Sequence, residues 1–274
     1  MEDVAYLMES EEESIRLEAK TDPGVVEQQA LWAQIRPGMR VADLGCGCGK
    51  TTRVLYGLIQ PGGTAVGVDV SEKRLAYAQD NYAQEGIEFV RGDIWQPLDA
   101  LGSFDFVWLR FVLEYFRSNG FEIAVNASRI LKPGGTLCLI DLDYNCLSHF
   151  GLSERLERTI AKCARFLEEE FNFDPYAGRK LYSYLYDLGY EHVAVDVSAH
   201  HLIYGALGNV DAFNWAKKIE IVSRKTGLAF DEYKGGSDEF MEEFTRFFSD
   251  PRRFSYTPLI CVRGCKPFQG EEAG

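Results

Sequence analysis

The chain has 274 residues, 46% of them hydrophobic and 26% charged, a balance that excludes a disordered or fibrous protein and allows one large α/β domain or one domain with an insertion. Basic residues number 29 and acidic residues 42, giving a formal net charge of −13 that argues against nucleic-acid and membrane partners. Seven cysteines (Cys46, Cys48, Cys138, Cys146, Cys163, Cys261 and Cys265) form no evident disulfide framework. No apolar leader follows Met1, and no run approaches the ~20 apolar residues of a spanning helix, so the expectation is a soluble, cytoplasmic protein with reduced thiols.

Taken in chain order, Val4 to Trp32 is helix-like and stops at Ile35-Arg36-Pro37-Gly38, a turn that launches a strand. Val41-Ala42-Asp43-Leu44 is a short apolar run ahead of a glycine cluster, and Lys50 to Ile59 has helical periodicity. Pro61-Gly62-Gly63 turns into a strand from Thr64 to Val70, and Ser71 caps a helix from Glu72 to Gln84. Further strands are predicted at Ile87–Val90, Phe104–Leu109 and Thr136–Ile140, with a helix from Phe121 to Leu131 between the last two. Strands separated by helices imply βαβ units on a buried parallel sheet.

After Asp143 the rhythm changes. Helices are predicted over Ser153–Phe171, Pro175–Leu188, Asp211–Thr226 and Ser237–Phe248, with strands at Tyr190–Tyr204 and Tyr256–Val262. The expectation is a doubly wound Rossmann-like α/β fold with a mostly parallel seven-stranded sheet. Residues 1–37 would be a helical lid and 38–274 the main domain, with cap helices at about 145–190 and 205–250 over the carboxyl edge where such sheets bind ligands.

The densest signal is Val41-Ala42-Asp43-Leu44-Gly45-Cys46-Gly47-Cys48-Gly49-Lys50-Thr51-Thr52. Glycines between a strand and a helix bring backbone N–H groups close to a ligand, and the helix N-terminus favours an anion. A nucleoside-triphosphate loop would need a glycine five residues before Gly49, where Leu44 stands, and in the dinucleotide fingerprint the third glycine would come one residue later. The pattern instead resembles the first motif of class I S-adenosylmethionine-dependent methyltransferases, hydrophobic-x-D-x-G-x-G-x-G. Val66-Gly67-Val68-Asp69-Val70-Ser71, Arg91-Gly92-Asp93-Ile94, Phe104 to Arg110 and Leu131 to Leu137 resemble that family's later motifs in order and spacing.

The resemblance implies S-adenosylmethionine as cofactor and S-adenosylhomocysteine as product. Asp69 would take the ribose hydroxyls, with Val70 beside it. Asp93 would accept from the adenine amine, and Ile94 would meet the ring through its N–H. Gly45, Cys46 and Gly47 would approach the methionine part, Asp43 would orient the loop or meet the ammonium, and Arg110 would stand at the end of the fourth strand. Tyr6 would cover the methionine end from a lead helix. Independently of the resemblance, an ionised carboxylate such as Asp69 is the acceptor-only partner that two hydroxyl donors require.

Methyl transfer from an activated donor rests largely on alignment and needs a base only when the acceptor must lose a proton. Hence no catalytic residue stands out. Weak candidates are His149, His201 and Asp143, near strand ends facing the cap, and a lone histidine there is more often a hydrogen-bonded turn residue. No Cys/His set has zinc spacing, so no metal is expected. The fourth-strand loop, Leu109-Arg110-Phe111-Val112, lacks the Asn/Asp-Pro-Pro-aromatic pattern of amino-directed DNA methyltransferases. The expected acceptor is a small organic molecule. Two rival readings are a non-catalytic module binding S-adenosylmethionine or S-adenosylhomocysteine, and a nicotinamide-dependent oxidoreductase.

Overall fold

The computed structural model describes residues 13–224 and 226–268. It opens with α1 (Glu13–Lys20) and α2 (Pro23–Trp32), so the helix-like stretch is interrupted. Proline disfavours helix at the residue before it, and Asp22 there becomes the cap, its Oδ1 accepting from the Gly24 and Val25 amides at 2.8 and 3.3 Å. Tyr6 lies outside the described residues.

Then follow β1 (Arg40–Leu44), α3 (Lys50–Leu58), β2 (Thr64–Asp69), α4 (Glu72–Tyr82), β3 (Ile87–Arg91), β4 (Phe104–Arg110), α5 (Gly120–Arg129) and β5 (Leu131–Leu142). The second half adds β6 (His149–Phe150), α6 (Glu154–Glu170), α7 (Leu181–Asp187), β7 (Glu191–Tyr204), α8 (Asn209–Arg224), α9 (Gly236–Ser249) and β8 (Phe254–Cys265). The sheet runs β3-β2-β1-β4-β5-β8, with β7 along β8 and the two-residue β6 pairing with the start of β8. β1 to β5 are mutually parallel, and β8 is antiparallel to β5 and β7. This is the doubly wound, Rossmann-like arrangement that the strand–helix alternation predicts; β6 is an addition to the seven expected strands.

Alternation along β4 shows how both faces are filled. Phe106 and Trp108 join α2 and α3 on one side, while Val107 and Leu109 join α5 and α7 on the other. A third apolar cluster has its own members: Leu156 and Ile160 of α6, Trp215 of α8, and Phe240, Phe244 and Phe248 of α9. One part of the expected cap is corrected here. Helix α7 lies on the sheet, with Leu181 and Leu185 buried beside Leu137, Leu139 and Val262. Apolar spacing alone does not say which sheet face, or which neighbouring body, a helix will choose.

Candidate cofactor site and adjoining cavity

The glycine loop leaves β1 in a left-handed conformation. Gly45 has φ +79° and Gly47 φ +56°. A Cβ on Gly45 would stand 2.5 Å from Val112 Cγ2, so no larger residue fits. The Gly45 and Cys46 amides donate to the Val68 carbonyl at 2.8 and 2.9 Å, and the Gly47 amide donates to Asp69 Oδ2 at 2.9 Å. The loop is thereby stitched to the end of β2.

Asp43 is buried below this loop and accepts from Thr52 Oγ1 at 2.6 Å. Burial pushes its carboxyl up to about 7. The Cys46 thiol is pushed well up by burial, then by Asp43 and Asp69, and Cys48 up to about 11 by burial. Both stay protonated near neutrality, so neither is an activated nucleophile.

Asp69 closes β2 as a buried carboxylate. Its Oδ1 accepts from the Ser71 amide at 2.9 Å and from Arg74 Nε and Nη2 at 3.1 and 2.8 Å. Val70 beside it is exposed, and across the β2–β3 edge Ile94 is buried. Asp93 is exposed, its Oδ1 accepting from the Trp95 amide at 3.0 Å in a local turn.

Helix α1 lies across the loop. Leu17 Cδ1 is 3.1 Å from where a Gly47 Cβ would be. Glu18 fastens the helix: its backbone carbonyl accepts from Lys50 Nζ at 2.8 Å, and its carboxylate pairs with that ammonium at 3.1 Å and accepts from Tyr82 Oη at 2.7 Å.

At the end of β4, Arg110 Nε donates to Gln29 Oε1 at 3.1 Å, and its guanidinium rests 4.1 Å from the Phe111 ring centroid. Burial lowers its pKa to about 10, while Asp43 and Asp141 act in the opposite direction. The donor set fits the expected cofactor: a buried carboxylate at Asp69, a guanidinium at Arg110 suited to a carboxylate, and a loop in which every second residue is glycine.

Beyond Arg110 opens a cavity with about 860 Å³ of free space, part of it open to solvent. Trp215, Phe240 and Phe244 form apolar wall; Lys20, Lys218 and Glu114 supply charge. Glu114 is buried, accepts from Asn145 Nδ2 at 2.7 Å, and its amide donates to Asp141 Oδ2 at 3.1 Å. Burial, with Glu114 close by, raises the Asp141 carboxyl well above the usual range. Lys20, Lys218 and Asn145 were not legible as site residues, because lysines on amphipathic helices read as solvent-facing.

The weak catalytic candidates are otherwise engaged. His149 has Nδ1 2.8 Å from Ser255 Oγ and Nε2 3.1 Å from the Cys146 carbonyl, and burial lowers it to about 4. His201 Nδ1 lies 3.3 Å from Thr257 Oγ1, and burial lowers it to about 2. Asp143 is held at 2.8 and 2.9 Å by both arms of Arg179. Both His149 nitrogens and the Asp143 carboxylate thus have partners within the protein. The histidine with an open buried nitrogen is His200, whose ring packs 4.7 Å from Phe111. Among the described residues, no group of three or more His, Cys, Asp or Glu is placed to hold a metal, and no helix is long and apolar enough to cross a membrane.

Residues 42–139 match a family model described as a methyltransferase domain. An uncharacterized methyltransferase of Synechocystis is 37% identical over 109 residues, covering 39% of this chain and 49% of that protein. A demethylmenaquinone methyltransferase of Staphylococcus aureus is 29% identical over 133 residues, covering 45% of this chain and 54% of that one. The chain thus spans about half the length of the curated relatives it matches. A Bacillus halodurans crystal structure, of a methyltransferase by name, superposes with a TM-score of 0.57 at 17% identity, over 89% of this chain and 100% of that one, a likeness of fold. Domain match and relatives together make residues 42–139 a methyltransferase domain, and the superposition agrees with it in fold.

Proposed function

We propose that the protein transfers a methyl group from S-adenosylmethionine to a small organic acceptor. The observation that carries this reading is the adjacency of two sites. Asp43 and Asp69 are buried at the ends of β1 and β2, and at the end of β4 Arg110 shares the Phe111 ring with Lys20, which lines an apolar cavity together with residues of α6, α8 and α9. S-adenosylmethionine supplies an activated methyl group on a sulfonium. Asp69 would hold its ribose, Asp93 and Ile94 its adenine, and Arg110 with the loop amides its methionine carboxylate. Residues 13–37 would act as part of a lid and α6, α8 and α9 as a cap, excluding water and aligning the acceptor. The Staphylococcus relative, whose name gives a quinone-type acceptor, supports an apolar ring-bearing molecule in the aromatic cavity.

The test is calorimetric titration with S-adenosylmethionine and S-adenosylhomocysteine, with NAD and ATP as controls. The expected result is micromolar binding of the first two alone. Binding of NAD or ATP in their place would overturn the cofactor assignment.

A further inference from the structure

The cavity is electrostatically unlike the rest of the molecule. The whole chain carries −13, yet the cavity end between α1 and α8 holds two ammonium groups without a carboxylate at ion-pair distance among the described residues. Lys218 Nζ contacts Asn145 Oδ1 at 3.3 Å and Cys146 Sγ at 3.5 Å, and stands 5.0 Å from the Trp215 ring centroid. Lys20 Nζ lies 4.8 Å from the Phe111 ring centroid. Among the described residues Glu114 is the one carboxylate lining the cavity, and Asn145 already donates to it. Arg16, also at the wall, is paired with Glu13.

Unpaired cations facing apolar wall are costly unless an anion joins them. We propose that the acceptor is an amphipathic anion, with its carboxylate or phenolate between Lys20 and Lys218 and its ring-bearing body against Trp215, Phe240 and Phe244. This rests on the methyltransferase reading only in naming the occupant as acceptor; the charge and shape of the pocket stand without it. Burial, then Lys218 and Arg16, lower Lys20 to about 7, whereas Glu114 acts to raise it. Arg110, His200 and His201 are its other charged or titratable neighbours. An anion would stabilise the protonated form and so be taken up with a proton near neutral pH.

The probe pair is 8-anilinonaphthalene-1-sulfonate and its uncharged parent N-phenyl-1-naphthylamine, followed by fluorescence with the full chain. The wild type should hold the sulfonate at least tenfold more tightly than the parent. Lys20→Met and Lys218→Met should each cut that preference at least threefold, Lys218→Arg should restore it, and Lys162→Met on the surface should leave it unchanged. Equal binding of the two probes, or a preference that survives in both methionine variants, would overturn the proposal. Should the variants fail to fold, the wild type still decides. The sulfonate is ionised throughout, so its affinity should fall several-fold between pH 6.5 and 8.5 while that of the parent stays flat; two flat profiles refute the pocket.

S-adenosylhomocysteine is titrated separately. Loss of that binding with the sulfonate preference intact would reject the methyltransferase reading and keep the anion site; the reverse outcome would reject the anion site alone.

Discussion

Arg74 grips Asp69 at the end of β2, with Nε and Nη2 3.1 and 2.8 Å from the same carboxylate oxygen and both residues buried. The Ser71 amide also donates to Oδ1, whereas among the described residues Oδ2 accepts from the Gly47 amide alone and keeps an open acceptor position. A ribose diol can reach Asp69 at Oδ2, and at Oδ1 it would meet Arg74. Asp69→Ala is therefore expected to weaken S-adenosylhomocysteine binding by about 1–3 kcal/mol, from lost charge-assisted hydrogen bonds. Arg74→Gln should lower the melting temperature, since it leaves a buried carboxylate unpaired, without weakening the cofactor. A loss in Arg74→Gln equal to that in Asp69→Ala would make Arg74 a ribose ligand and not a competitor.

Asp93 differs in being exposed, with a single local hydrogen bond. Asp93→Ala should cost about 1 kcal/mol of cofactor affinity and leave thermal stability nearly unchanged. Calorimetry beside a melting curve checks both halves. An unaltered adenosine site in this variant would remove Asp93 from the assignment.

Two groups, the buried Asp43 and the half-buried Lys20, give opposite slopes of stability against pH. Burial raises Asp43 from 3.8 to about 7, so between those values the folded state binds more protons than the unfolded one, and stability falls as pH rises. Lys20 is lowered from 10.5 to about 7; there the unfolded state binds more protons, and stability rises with pH across that window. Melting temperature measured from pH 4.5 to 10 should show the first slope flattened in Asp43→Asn and the second in Lys20→Met. Unchanged slopes would mean that neither group is buried as described.

Glu18 anchors α1 through Lys50 and Tyr82. These contacts are partly exposed, so Glu18→Ala should cost no more than about 1 kcal/mol of global stability. It should nevertheless raise the dissociation rate of S-adenosylhomocysteine several-fold, measurable by stopped flow. An unchanged rate would show that α1 does not retain the cofactor.

Why the sequence discloses the cofactor side and not the acceptor side is a matter of locality. Asp43, Gly45, Gly47 and Asp69 sit within two consecutive βα units, where strand ends and turn glycines follow one another along the chain. The cavity proposed for the acceptor joins Lys20 near one end of the chain to Lys218 near the other, through helices whose spacing shows only that one face is apolar. His149 and Asp143 drew notice by residue type, yet their partners Ser255, Cys146 and Arg179 depend on tertiary contacts that no local pattern records. Asp22-Pro23 is a stop signal between α1 and α2, masked by helix-favouring residues on both sides.

Helix α1 belongs to both halves of the chemistry. Glu18 bolts it over the glycine loop, and two residues later Lys20 forms wall of the adjoining cavity. Under the proposed methyl transfer, a part that shuts one chamber and completes the next would set a compulsory sequence of occupation: the donor would seat first, the acceptor would find its second ammonium only after closure, and the demethylated donor would leave last. In turnover kinetics, S-adenosylhomocysteine would then compete with the donor and act non-competitively against the acceptor.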